Sequence, residues 1–227
     1  MLAEPELDPR RLTLDRALAE AVRARVAAGR QAGVDAEALA LREAMRGLGP
    51  SEIAVARAVL GRLDAATGAP LAIWGTAAQV LAADRYGLGG RLATRPDDAL
   101  AAVRQGGRAL MDLTSSNAWF GRLLAEPALR IVGALPDDAS ALPRALLVQQ
   151  AQPGPTGHDR TFWATDSGLS PGRIVATLSD AGLAATPLIE AGGLKLFVLA
   201  GYVQAEDGRL HGAPGTLSGV IGAAPIF

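Results

Sequence analysis

Arginines near the start of the chain carry the first chemical signal. On a helical wheel Arg25 falls among Leu14, Leu18 and Val22, inside an apolar stripe. A guanidinium on a buried face needs a structural carboxylate or an anionic ligand, or else it snorkels at the edge of the stripe. Arg16, Arg23 and Arg30 form a separate row, seven residues apart, that reads as a solvated face. Arg42 and Glu43 are adjacent. Neighbours in sequence do not face each other on a helix, so they are no ion pair. They read as a donor and an acceptor for a shared ligand, or as ordinary surface charge.

Two loops form a second candidate. Gly75 and Thr76 follow an apolar run and precede a helical pattern, and residues 114–117 follow another such run. Loops at the carboxyl ends of strands face ligands in α/β folds, and amides at a helix N-terminus attract anions. Gly75, Thr76, Ser115, Ser116 and Asn117 are the candidates. The simpler alternative is a turn glycine and a capping serine or asparagine. The chain has no P-loop and no GxSxG elbow, and GLGGR at 87–91 does not fit a dinucleotide fingerprint. His158-Asp159 reads as a turn rather than a base.

Composition removes whole classes of function. The 227 residues are 49% hydrophobic and 20% charged, which excludes a disordered chain. With 22 Lys and Arg against 23 Asp and Glu, the net charge of −1 gives no general hold on nucleic acid or anionic membrane. The absence of cysteine excludes disulfides, thiolate metal sites and cysteine nucleophiles, and two histidines cannot build an imidazole cluster. No metal or cofactor is expected. Residues 1–10 lack the apolar core of a signal peptide, and no run reaches the ~18 apolar residues of a membrane span. A soluble cytoplasmic protein with a small-molecule partner is the expectation.

The elements that must position these groups change character near residue 69. Residues 12–31, 36–46 and 52–67 read as three helices, with Asp35 and Ser51 as caps. From Pro70 strands alternate with helices: strands at 71–74, 91–94, 109–113, 129–135 and 144–150, and helices at 77–86, from Pro96, and at 118–125. This alternation predicts a mainly parallel sheet. After a loop at 152–159 come a strand at 161–165, a helix at 171–181 and strands at 186–190 and 194–202. The last twenty or so residues are glycine-rich and poorly patterned. The expected domains are 1–68, 69–152 and 153–227.

The helical start joined through Gly68-Ala69-Pro70 to LAIWG resembles bacterial proteins in which a helical chorismate mutase precedes a prephenate dehydratase-like region. IWGTAAQVLAADRYG and GGRALMDLTSSN resemble the dehydratase's glycine-rich opening and substrate-binding loop. HDRTFWAT resembles its Thr-Arg-Phe motif in altered order, as Arg160-Thr161-Phe162. Most of the second lobe is missing between about 136 and 143. SPGRIVATLSDAGL with LKLFVLAGYV resembles a partial ACT unit. The resemblance implies an α/β chain with an N-terminal three-helix mutase-like segment, a truncated periplasmic-binding-like α/β lobe and an ACT-like βαββ tail, assembled as a homodimer.

It also implies roles. Arg25, Arg42 and Glu43 match the mutase's catalytic pattern, with Arg16, Gln31 and Thr67 as substrate contacts. The expected lysine and glutamine are absent. Chorismate rearrangement needs no nucleophile, metal or cofactor, only two held carboxylates and a donor at the breaking ether bond. Losing that donor removes about 10²–10³ in rate by analogy with oxyanion holes. The competing reading is a non-catalytic protein that binds a small carboxylate or aromatic metabolite and dimerises through its helices.

Overall fold

The computed structural model describes residues 8–28, 34–114 and 116–227, and the side chains of these apart from 24–28. Gln31 and Ser115 therefore lie outside the described residues, and Arg25 is described only as backbone within the first helix.

Three helices open the chain: α1 (Pro9–Ala28), α2 (Val34–Ala44) and α3 (Pro50–Thr67). Pro50 takes the first helical position of α3, where its missing N–H costs nothing. The cap is Gly49 rather than the expected Ser51, and its N–H donates to Glu52 Oε2 at 2.6 Å. Asp35 lies inside the first turn of α2, where a carboxylate favours the helix dipole. Leu14, Leu18 and Val22 of α1 are only half-buried, so this helix depends on its contacts with α2 and α3. No helix among the described residues is long and apolar enough to cross a membrane.

The remaining elements are β1 (Leu71–Trp74), α4 (Thr76–Tyr86), β2 (Arg91–Leu92), α5 (Pro96–Arg104), β3 (Arg108–Asp112), α6 (Arg122–Ala125), β4 (Arg130–Leu135), β5 (Ala145–Gln149), β6 (Asp159–Thr165), α7 (Pro171–Asp180), β7 (Ala185–Ala191), β8 (Leu194–Ala200) and β9 (Ser218–Pro225). The nine strands among the described residues form one sheet in the order β2-β1-β3-β5-β4-β9-β6-β8-β7.

The expected parallel sheet is confined to one end. β1 pairs in parallel with β2 and β3, across the crossover helices α4 and α5, and β4 touches β9 in parallel. The other five pairings are antiparallel. Parallel pairing needs a crossover of a dozen or more residues, and the link between β4 and β5 is too short for one.

The tail is a βαββ unit, β6-α7-β7-β8, with β9 returning antiparallel to the far side of β6. Strands from both sides of the expected boundary at 152 thus share one sheet. β9 was not legible in the glycine-rich end of the sequence, yet it lies between β4 and β6. Gly222, at φ +149°, pairs with Ile131, and a Cβ there would lie 2.2 Å from the Ile131 carbonyl oxygen. Only glycine lets these strands meet.

Side chains alternate across the sheet. Ala109 and Met111 of β3 enter a core with Leu100, Trp119, Phe120 and Phe162. Leu110 enters the opposite core with Ile73, Ala78, Ala82 and Leu147. A third core, around Trp163, Ile174 and Phe197, lies under α7.

Candidate functional site

The two loops expected to form a ligand site do meet, because β1 and β3 are neighbours. Gly75, at φ +91°, sits so close to β3 that a Cβ would lie 2.2 Å from Asp112 Cβ. Asp112 is buried, and its Oδ2 accepts the Ala77 N–H at 2.7 Å. Its Oδ1 accepts the Thr114 hydroxyl at 2.6 Å and the Thr114 N–H. The N-terminus of α4, the expected anion site, therefore holds the chain's own carboxylate. Thr76, Ser116 and Asn117 stand exposed around this filled position.

The helical candidates are engaged separately. The Arg42 guanidinium donates to the Thr156 carbonyl, to Thr156 Oγ1 at 3.2 Å, to the His158 carbonyl at 3.2 Å and to the Ile226 carbonyl at 2.9 Å. Its Cζ also lies 5.7 Å from the centre of the Phe227 ring. Arg42 thus ties α2 to the loop before β6 and to the residues after β9. Glu43 is exposed and pairs with Arg46 at 2.6 Å. Arg16 is exposed on α1. The Thr67 hydroxyl donates back to the Leu63 carbonyl at 2.9 Å.

A cavity of about 280 Å³ lies elsewhere, at the seam between the helices and the sheet. Ala21 of α1, Leu41 of α2 and Leu60 of α3 form one side. Val132, Leu135 and Leu147 of the sheet form the other, with Phe227 at the edge. Its polar lining is Glu37, Asp64, Arg85, Tyr86, Arg108 and Asp137, together with Gln149.

Three ion pairs shape this lining. Arg108, at the start of β3, pairs with Asp64 of α3 and donates Nε–H to the Ala69 carbonyl at 3.1 Å. Asp137, in the short link between β4 and β5, receives both Arg57 of α3 and Arg85 of α4, the latter at 3.6 Å. Burial pushes the pKa values of Arg57 and Arg85 down, although a guanidinium remains charged at neutral pH. Burial pushes the neighbouring Tyr86 phenol up. Helix α3 approaches this cluster closely, since a Cβ on Gly61 would lie 2.1 Å from the Arg85 carbonyl oxygen.

Sequence reasoning missed these residues because they come from α3, α4, β3 and the link between β4 and β5, far apart in the chain. A usable signal was Arg108, a charge directly before the apolar run Ala109-Leu110-Met111. The Arg160-Thr161-Phe162 trio is internal. Arg160 donates to the Asp138 carbonyl at 2.6 Å, Thr161 donates to the Gly201 carbonyl at 2.8 Å, and Phe162 is in the core.

No family model matches the chain, and no curated protein matches it. Two solved structures show distant similarity. One is described as GqqA, a novel type of quorum-quenching acylase. It is 17% identical over 69% of this chain and 95% of its own, with a TM-score of 0.46. The other is a prephenate dehydratase from Arthrobacter aurescens in complex with L-Phe. It is 13% identical over 68% of this chain and 89% of its own, with a TM-score of 0.39. The likeness is loose. It carries nothing about the fold family or the chemistry of this chain.

Proposed function

We propose that this chain is a binding protein of aromatic (chorismate and prephenate) metabolism, and that the cavity between its helices and its sheet receives a small aromatic carboxylate. The cavity carries the reading. Its walls are mainly aliphatic, its volume is about 280 Å³, and buried arginines stand in its polar lining. A cavity of about 150 Å³ holds one benzene, so there is room for a ring and a short side chain. The metabolic assignment rests on the sequence resemblance. A homodimer through the helical segment is part of this reading, supported by exposed Leu39 on α2 and by Val55 and Val59, one turn apart on α3.

A second reading, chorismate mutase turnover, is favoured by one observation: all three helices contribute to the cavity wall. Of the trio Arg25, Arg42 and Glu43, the latter two are committed to other partners, so Arg25 carries this reading. The reaction requires only that the substrate be held in a reactive conformer and its developing charge stabilised.

The deciding experiment is chorismate disappearance followed by absorbance, wild type beside Arg25→Ala, with calorimetric titration of chorismate and phenylpyruvate in parallel. Binding without turnover supports the binding protein. Turnover lost in Arg25→Ala replaces it with the mutase. Neither binding nor turnover rejects both.

A further inference from the structure

The arginines at the polar end of the cavity are not equivalent. Arg108 gives Nη1 to Asp64 and Nε to the Ala69 carbonyl. Arg57 Nη2 forms an ion pair with Asp137 Oδ1. Arg85 approaches the other Asp137 oxygen with Nε at 3.6 Å, but its buried Nη1 has no hydrogen-bond partner among the described residues. A buried charged donor left unpaired costs more than a neutral one, and a ligand acceptor there recovers that cost. Nη1 lies against Gly61, where a Cβ would come within 3.2 Å, and Gly61 and Arg85 both line the cavity.

The other charges in the lining set the ligand's valence. Asp64 and Asp137 are held by arginines, and Glu37 lines the same space. A ligand with one carboxylate on Arg85 leaves its second, if it has one, facing either the carboxylates and an Arg108 already engaged by Asp64 and the Ala69 carbonyl, or the aliphatic wall of Val132, Leu135 and Leu147. Either placement is unfavourable for an anion. Resting on the binding reading above, we propose that the ligand is an aryl monocarboxylate whose carboxylate meets Arg85 Nη1 and whose ring lies on the aliphatic wall, and that dicarboxylates of the same shape are rejected.

Three probes of one shape test this by calorimetric titration of the full chain: 3-phenylpropanoate, its neutral amide, and benzylmalonate. The expected result is tighter binding of the monocarboxylate than of either other probe, by about tenfold or more, the size of one charge-assisted hydrogen bond. Arg85→Met is expected to erase the preference for acid over amide while the amide still binds. Leu147→Trp, which fills the cavity, is expected to abolish all binding. Equal binding of acid and amide by the wild type overturns the Arg85 assignment and leaves the cavity reading standing, as does tighter binding of benzylmalonate. Failure of all three probes to bind overturns the cavity reading and the inference with it. The acid-to-amide ratio needs no variant, so it decides the matter even where Arg85→Met does not fold.

Discussion

Asp112 caps α4 from the neighbouring strand: its Oδ2 accepts the Ala77 N–H at 2.7 Å, beside a glycine that leaves room for no Cβ. Removing this carboxylate strips the helix of its cap and leaves buried donors unpaired. Asp112→Ala is expected to cost about 1–2 kcal/mol. Gly75→Ala is expected to cost at least as much, because it adds a positive-φ penalty to a clash. Urea denaturation of both variants measures this, and a midpoint unchanged from wild type refutes the cap.

The Arg108–Asp64 pair fastens α3 to the first strand pair, and the Arg108 side chain is 7% exposed. Deleting only the carboxylate strands a buried guanidinium, so Asp64→Ala is expected to destabilise by about 3 kcal/mol. Asp64→Leu with Arg108→Met removes both charges and is expected to recover part of the loss. A double-mutant cycle read by urea denaturation gives the coupling, and strict additivity rejects it.

Tyr86 titrates above its ordinary value in the folded chain, because burial disfavours the phenolate; Arg85 and Arg108 oppose this and Asp64 reinforces it. At pH above about 10 the unfolded chain loses this proton while the folded chain keeps it. The unfolded state then binds fewer protons, so stability falls as pH rises. Tyr86→Phe is expected to flatten this alkaline decline. Unfolding midpoints at a series of pH values above 9 provide the check, and an equal decline in the variant contradicts it.

Arg42 joins α2 to the loop before β6 and to the residue after β9 through four donated hydrogen bonds. Lysine keeps the charge but not the planar fork, so Arg42→Lys is not conservative here. The expected result is faster exchange of the Ile226 and Phe227 amides, which bond to the carbonyls of His158 and Asp137, and about 1–3 kcal/mol of lost stability. Hydrogen exchange by mass spectrometry reads it, and unchanged exchange at those two amides rules it out.

Strand β1 and helix α5 were legible because each carries local punctuation. The run 71–74 lies between Pro70 and Gly75, and Pro96 with Asp97 and Asp98 marks a helix start. The antiparallel pairing of β4 with β5 was not, since strand direction there depends on the length of the link at 136–144 rather than on the strands themselves. Arg42 was visible as an arginine in search of partners, but those partners are backbone carbonyls, which leave no trace in composition. The cavity was hidden for a related reason: Asp64, Arg85 and Asp137 each look like surface charge in local context. Only the packing of α3 and α4 against β4 and β5 turns them into a buried group.

The position of β9 governs the order in which this molecule can assemble. It is the last strand in sequence and lies between β4 and β6, which precede it by many residues. Until residues 218–225 arrive, the growing chain holds two separate half-sheets, each with a bare inner edge of unpaired amides and carbonyls. Such edges are templates for pairing with other chains. Closure through distant contacts is also intrinsically slow. The nascent protein therefore passes through a stage when its centre is its stickiest surface, and a glycine-rich strand with no room for side chains at Gly222 is what seals it.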